Sequence, residues 1–221
     1  MPRAYDALLS DDPAWPNLSA QAAVAPNRVD ILPPGSDAER RRSLEALQVT
    51  TRSPLGALAH ETGGLLVDGG FLRIFGCGNA RLPRALGEWN STLGVSLGEA
   101  LIIADDVVGG VFALNAGALG EAVGHVYYFA PDTLEWEDTE LGHSGWLEWA
   151  FEGDLETFYE TMRWPGWEKS VAALAPDRAF NFYPPLWTEE GLDISERDRR
   201  DVPVEELFEL QRKFAEALED A

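Results

Sequence analysis

Hydrophobic and polar positions alternate most clearly between positions 101 and 137, where short apolar runs are separated by turn residues. The runs at 102–104, 111–114 and 126–129 are rich in β-branched and aromatic residues, which is typical of strands. Gly109 and Gly110 separate the first two runs and permit the positive φ of a tight hairpin. The pattern predicts a meander of antiparallel strands at the centre of the fold.

Helical spacing and capping residues predict helices on the N-terminal side of this meander. Asp37 is the predicted N-cap of a helix that ends near Leu47. A second helix is predicted at 54–62, because Ser53 is a good N-cap and Pro54 suits the first helical position. A hairpin around an Asp-Gly-Gly turn is predicted to follow this helix.

Two further helices are predicted on the C-terminal side. Ser144 is the predicted N-cap of a helix whose Trp and Leu residues recur at helical spacing. The aromatic segment 180–187 is predicted to be an extended strap on the core. Residues 203–218 form a predicted amphipathic helix with one apolar stripe, which packs on its own chain or on a second copy in a homodimer.

These elements predict an α+β fold with a central antiparallel β-sheet flanked by helices. A length of 221 residues fits one large domain. Residues 1–36 contain several proline turns and are predicted to form an irregular N-terminal strap. Residues 37–187 are the predicted α+β core, and 188–221 are a C-terminal loop and helix. The whole chain is therefore expected to be a single domain with N- and C-terminal extensions.

Charge limits the classes of partner. The formal net charge is −21, which argues against a nucleic-acid partner because phosphate binding depends on clustered Lys and Arg. No Lys or Arg occurs between positions 85 and 162, although that stretch is rich in Asp and Glu. One interpretation is a solvated acidic surface that maintains solubility. The other is an acidic face that docks a basic protein partner.

The densest acidic segment follows the third strand of the meander. Alternation places Glu135 and Glu137 on one face of an extended segment and Leu134 and Trp136 on the other. Such a segment forms either an interaction surface or a charged edge strand that blocks unwanted strand pairing. The predicted partner-binding residues are Tyr127, Asp132, Glu135, Glu137, Asp138 and Glu140.

The motifs for catalysis are sparse. The glycine pairs lack the phosphate-loop and dinucleotide spacings, and a single cysteine excludes an internal disulfide and a thiolate zinc site, so we expect no cofactor and no metal. An alternative function is a small metal-dependent or acid/base hydrolase centred on Asp105, Asp106 and His143. Consecutive strand residues point to opposite faces, so the two aspartates are not expected to act together.

Location is inferred from hydropathy alone. No stretch approaches the roughly 18 consecutive apolar residues of a membrane span. The N-terminus has Asp and Pro where a secretory signal needs an apolar centre. We therefore expect a cytoplasmic protein without a membrane partner.

Four sequence strings resemble an uncharacterised bacterial family known as domain of unknown function 2625. They are LGALAHETGGLLVDGGFLRIFG, IADDVVGGVFALN, VYYFAPDTLEWE and FYETMRWPGW, and the resemblance covers roughly positions 53–187. This family implies no established activity.

A more distant resemblance is to the SUKH superfamily. It rests on the order of elements and on a few positions, which are Gly63, Gly64, Gly110, Asn115 and the helix that contains Trp146 and Leu147. The resemblance implies an α+β fold with a central antiparallel sheet. It also implies a binding role, since many bacterial members are thought to be immunity proteins that neutralise toxin domains, often nucleases. The expected function is therefore a non-catalytic acidic binding protein, of immunity type, that neutralises a basic toxin or engages another basic partner.

Overall fold

The fold is built on a seven-stranded antiparallel sheet whose strands follow one another in chain order. The structure is a computed structural model that describes residues 2–96, 98–188 and 193–219. The strands of the sheet are β1 (Asp30–Leu32), β2 (Gly64–Val67), β3 (Leu72–Phe75), β4 (Ala100–Asp106), β5 (Val111–Asn115), β6 (His125–Phe129) and β7 (Trp136–Gly142). The predicted central antiparallel sheet is thereby confirmed.

Helices cover this sheet, and a second small sheet lies near the C-terminus. The helices are α1 (Trp15–Val24), α2 (Asp37–Leu47), α3 (Pro54–Glu61), α4 (Leu86–Thr92), α5 (His143–Glu152), α6 (Leu155–Phe158), α7 (Trp167–Ala173) and α8 (Val204–Glu219). The small sheet pairs β8 (Arg178–Tyr183) with β9 (Asp198–Pro203) in antiparallel register. The aromatic strap predicted at 180–187 thus begins as a paired strand.

Local capping signals explain where several helices begin. Ser53 accepts a hydrogen bond from the backbone N–H of Gly56, as its predicted N-cap role requires. Helix α2 begins at Asp37, but its N-cap is Ser36, which forms a capping box with Glu39. The N-cap predicted at Ser144 is wrong. Helix α5 begins two residues earlier than that N-cap requires, at His143, and its N-cap is Gly142, because strand β7 runs directly into the helix.

The N-terminal segment is more regular than predicted. Residues 1–36 contain α1 and β1, and β1 pairs with β2 as an edge strand of the main sheet. Leu8 and Leu32 from this segment are fully buried in the common core. The proline turns separate these short elements, and the division of the chain into strap, core and C-terminal extension remains a prediction.

The two faces of the sheet are covered by different parts of the chain. On one face, Phe112 of β5 packs against Trp146 of α5 at a ring-centroid distance of 5.1 Å. On the other, Phe129 of β6 lies 6.0 Å from Phe208 of α8. The backbone N–H of Phe180 also donates to the carbonyl of Val107, which ties β8 to the turn after β4. The central strands are consequently buried on both sides.

Helix α8 buries only part of its predicted stripe. Val204 and Leu207 are buried, whereas Leu210, Phe214 and Leu218 are exposed. The ring of Phe214 packs against that of Trp187 at a centroid distance of 5.3 Å, so the outer half of the stripe is partly covered by its own chain. The homodimer through this helix remains a prediction. Among the described residues, no helix has the length and apolarity to cross a bilayer.

Candidate functional site

The predicted acidic segment forms one edge of the main sheet. Strand β7 is the outermost strand of the sheet, and it pairs only with β6 within the described residues. Trp136 packs on Phe129 with a centroid distance of 5.2 Å, while Glu135 and Glu137 are exposed. The predicted alternation therefore holds at these positions. We call Glu135, Glu137, Asp138 and Glu140 the acidic edge.

A bulge distorts the acidic edge. The register between β6 and β7 shifts between His125 and Tyr127, and Glu140 has a φ of 60°. The side chain of Asp138 stabilises this conformation by accepting a hydrogen bond of 2.8 Å from the backbone N–H of Glu140. Asp138 also lies 3.0 Å from Nδ1 of His125 on the neighbouring strand. Asp138 is thus held in place by contacts within the protein.

The other three carboxylates of the acidic edge lack cationic partners. Within the described parts of the chain, no Lys, Arg or His forms an ion pair with Glu135, Glu137 or Glu140. Among the described residues, their one side-chain hydrogen bond joins the hydroxyl of Thr133 to Glu137 at 3.1 Å. The edge therefore presents negative charge that the folded chain does not neutralise.

The remaining two predicted partner residues are less accessible. Tyr127 is only 5% exposed, and Gly120 of the β5–β6 loop lies so close to its phenol that a Cβ there would stand 2.4 Å from the hydroxyl oxygen. Asp132 is half-buried and close enough to Arg197 for its charge to act on that guanidinium. A partner bound at the edge would meet mainly the glutamates.

Asp105 is the centre of a buried ion cluster on one face of β4. Its carboxylate lies 2.5 Å from Nε of Arg73 and 2.8 Å from Nε of Arg84, and all three residues are almost fully buried. Arg73 also donates to the carbonyl of Arg178, and Arg84 donates to the carbonyl of Pro176, both at 2.8 Å. Burial lowers the pKa of Arg84 to about 10. The cluster joins strands β3 and β4 to the segment that enters β8.

Asp106 points to the opposite face and closes the β4–β5 turn. It accepts hydrogen bonds from the backbone N–H groups of Val108 and Gly110, at 3.0 and 2.7 Å, and from the hydroxyl of Tyr128 at 2.8 Å. Burial raises the pKa of Asp106 to about 6 despite these donors. The residue therefore has the turn role that is common for aspartate.

His143 lies apart from both hydrogen-bond sets. Its Nε2 atom is buried without a hydrogen-bond partner in the described parts of the chain, and its ring centroid is 6.4 Å from that of Trp146. Burial lowers the pKa of His143 to about 4, so the imidazole is neutral at pH 7. The described residues contain no hydrogen bond between His143 and either Asp105 or Asp106, and no cluster of three or more metal-ligating side chains. The structure does not bring the three candidate catalytic residues together.

One hydrogen-bonded network of side chains was not predicted from the sequence. The hydroxyl of Tyr5 lies 2.8 Å from Nε2 of His60, and Nδ1 of His60 lies 2.6 Å from Glu61. Arg40 completes the network by donating to the backbone carbonyl of His60 at 2.7 Å. The network attaches the N-terminal residues to α2 and α3. Its members have no characteristic spacing in the sequence, so no local signal reveals it.

Comparisons with known proteins show the family to which the chain belongs. The family described as "Protein of unknown function DUF2625" matches residues 6–207. The chain is 46% identical over 207 residues to "Putative uncharacterized protein YbfG" of Escherichia coli strain K12, which covers 94% of each chain. It is 37% identical over 207 residues to an "Uncharacterized protein" of Haemophilus influenzae strain Rd, which covers 92% of this chain and 90% of the relative. No solved structure matches the chain significantly. Because the match extends over nearly the whole length, the chain belongs to the family of unknown function DUF2625.

Proposed function

We propose that this protein is a non-catalytic binding protein whose acidic edge engages a basic protein partner. The observation that carries the proposal is the set of three exposed glutamates along this edge, Glu135, Glu137 and Glu140, which have no cationic partner among the described residues. The neighbouring sequence adds to the negative electrostatic potential of the edge, because positions 85–162 contain no Lys or Arg. Complementary charge of this kind accelerates encounter and selects the partner.

The bulge indicates how a partner would bind. A regular edge strand accepts an added strand through its free backbone groups. Here Glu140 adopts a positive φ, and its N–H is already bonded to Asp138. Bulges protect edges from strand addition. We therefore propose recognition through the glutamate side chains and not through an added strand.

The resemblance to the SUKH superfamily supports a narrower form of the proposal. In that form the partner is a toxin domain with a basic surface, for example a nuclease, and this protein neutralises it by covering that surface. A nuclease must present positive charge to its phosphate backbone substrate. The acidic edge is complementary to such a surface in sign.

Two alternatives remain distinct from this proposal. In the first, the charges on β7 serve only to prevent edge-to-edge aggregation. In the second, the protein is a small hydrolase centred on Asp105, Asp106 and His143. The contacts of these three residues support the hydrolase less well, because each carboxylate is committed to other buried groups.

The test is affinity capture from native cell lysate at low and high salt with three forms of the protein. The first is wild type, and the second carries Glu135→Lys and Glu137→Lys. The third is a control of equal charge change, Glu205→Lys with Glu209→Lys, at exposed positions of α8. The proposal expects a basic protein that binds wild type and the control but not the edge variant. Its capture should weaken with salt, since the screening length is about 10 Å at 0.1 M ionic strength.

Purified components then decide between the alternatives. The captured protein, once expressed and purified, should bind wild type with an affinity at least tenfold higher than it binds the edge variant. Equal affinity for wild type and for the edge variant would show that the edge is not the interface. If the edge variant bound the partner as tightly as wild type but aggregated, the charges would serve only to prevent edge-to-edge aggregation. A toxin activity that wild type suppresses and the edge variant does not would support the immunity form.

A further inference from the structure

A cavity of about 560 Å³ lies between helix α2, helix α4 and the loop that follows β3. This volume is within the range of roughly 300–1,000 Å³ that small-molecule sites occupy. Its walls combine apolar groups with a few polar ones. Residues that line it include Ser43, Ala46, Cys77, Asn79, Pro83 and Trp89. None of them belongs to the acidic edge or to the candidate catalytic residues, so this cavity is a separate feature of the molecule.

Ser43 is a polar group without a partner in this wall. The residue is only 4% exposed, and its Oγ atom has no hydrogen-bond partner in the part of the chain that the structure describes. A buried hydroxyl without a partner is costly, by roughly 1–3 kcal/mol. Cys77 differs, because its Sγ accepts a hydrogen bond of 3.2 Å from the N–H of Gly35. Ser43 is therefore the wall group that gains most from a ligand with a hydrogen-bonding end.

Two residues of opposite charge also line the cavity, and both are open to solvent. Nε of Arg42 on α2 lies 3.3 Å from Oε1 of Glu88 on α4, and both side chains are more than half exposed. An exposed pair of this kind contributes little to stability, so its members can exchange partners at low cost. Glu39 also lines the cavity, but its carboxylate is held by Ser36 in the capping box. Arg42 and Glu88 are thus the two charges that a ligand can recruit.

We propose that this cavity binds a small zwitterionic ligand of the amino-acid class with an aromatic, hydrogen-bonding side chain. The ligand carboxylate pairs with Arg42 and the ligand ammonium pairs with Glu88. The half-buried ring of Trp89 and the ring of Pro83 provide the apolar surface on which an aromatic side chain packs. The polar end of that side chain bonds to the hydroxyl of Ser43. L-Tyrosine has all of these groups and is the probe of choice.

Isothermal titration calorimetry on the full-length protein tests each contact with matched ligands. The probes are L-tyrosine, tyramine without the carboxylate, 3-(4-hydroxyphenyl)propanoate without the ammonium, and L-phenylalanine without the phenol. Wild type should bind L-tyrosine most tightly. Each missing group should weaken binding about tenfold, as expected for the loss of one hydrogen bond to a charged or buried group.

Protein variants identify the residue that holds each group. Arg42→Gln should weaken the binding of L-tyrosine about tenfold and leave the binding of tyramine unchanged. Glu88→Gln should weaken the binding of L-tyrosine and leave the binding of 3-(4-hydroxyphenyl)propanoate unchanged. Ser43→Ala should abolish the preference for L-tyrosine over L-phenylalanine. The matched control is Arg41→Gln, which removes an exposed Arg–Glu pair on the same helix outside the cavity.

Two results would overturn the assignment. One is the absence of saturable heat with wild type and any of the four probes at millimolar concentration. The other is an affinity for L-tyrosine that falls equally in Arg42→Gln and Arg41→Gln. Thermal unfolding of each variant confirms that it is folded before it is titrated. Because none of these substitutions lies on the acidic edge, the outcome is independent of the proposed partner binding.

Discussion

Asp105 and Asp106 are consecutive residues of strand β4, yet their carboxylates enter two separate buried networks on opposite faces of the sheet. Asp105 meets the guanidinium groups of Arg73 and Arg84, whereas Asp106 meets backbone N–H groups and the hydroxyl of Tyr128. The first network joins the sheet to the C-terminal segment, and the second closes a hairpin. One dipeptide therefore stabilises two different parts of the fold.

Asp105→Asn should destabilise the protein strongly. The substitution leaves Arg73 and Arg84 buried beside a neutral amide, and breaking one side of a buried ion pair costs about 3–5 kcal/mol. Urea unfolding monitored by tryptophan fluorescence measures this loss. Glu45→Gln is the control, since it removes the exposed partner of Arg41 and should change the unfolding free energy by no more than about 0.5 kcal/mol. Similar losses in both variants would show that the buried cluster does not anchor the fold.

Gly110→Ala should also be severely destabilising, for a steric reason. A Cβ at this position would lie 2.2 Å from Oδ2 of Asp106 and 2.3 Å from the hydroxyl of Tyr128. The clash would separate two groups that are hydrogen-bonded to each other, at a cost of several kcal/mol. Gly145→Ala in α5 is the matched control, because its Cβ would meet nothing closer than 3.6 Å.

These two glycine substitutions should change the denaturation midpoint in opposite directions. Alanine is favoured over glycine in a helix by about 1 kcal/mol, so Gly145→Ala should raise the midpoint slightly. Gly110→Ala should lower it or prevent folding. A Gly110→Ala protein with a wild-type midpoint would mean that the turn can move away from Asp106, contrary to its close packing.

Local signals explain which features the sequence predicts well. The strands of the meander, the N-cap at Ser53 and the turn at Gly109 depend on residues that are close together in the chain. The alternation of Glu135, Trp136 and Glu137 likewise predicts which side chains are exposed at the edge. Short-range chemistry thus accounts for the element order and for much of the acidic edge.

The features that the sequence does not predict depend on distant contacts. Asp105 binds Arg73 and Arg84, which lie 32 and 21 positions away, and no pattern in the sequence pairs them. Tyr127 appears available from its place on a strand, but the loop that contains Gly120 buries it. The cavity beside Ser43 requires the packing of α2 against α4. Such properties arise only when the whole chain is folded.

Asp106 should make the protein less stable as pH rises. Its folded-state pKa is raised from 3.8 to about 6, so the folded protein holds this proton more tightly than the unfolded chain does. The stabilising contribution is fully present below the unfolded value and is lost as pH rises through about 6. Relative to Asp106→Asn, wild type should lose roughly 1 kcal/mol of unfolding free energy between about pH 5 and pH 7.5. Urea titrations across this range measure the unfolding free energy of both proteins. If the two free energies changed in parallel with pH, the pKa of Asp106 would not be raised in the folded protein.

His143 should produce the opposite dependence over the same range. Burial lowers its folded-state pKa from 6.5 to about 4, so the unfolded chain binds a proton that the folded protein excludes. Its contribution to stability is therefore present above pH 6.5 and is lost as pH falls towards about 4. Relative to His143→Gln, wild type should be less stable at about pH 5 than at pH 7.5 by roughly 2 kcal/mol.

The two pH effects partly cancel in wild type, so only the single variants separate them. Asp106→Asn should leave a protein whose stability falls more steeply on acidification, because the His143 contribution is then unopposed. In His143→Gln the contribution of Asp106 is unopposed, so the unfolding free energy should rise on acidification. Both series are measured in the same buffers above the sequence pI of 4.3, where the net negative charge keeps the chain soluble. If His143→Gln did not change the slope, the imidazole would bind its proton as readily in the folded protein as in the unfolded chain, and the buried Nε2 without a partner would require a different explanation.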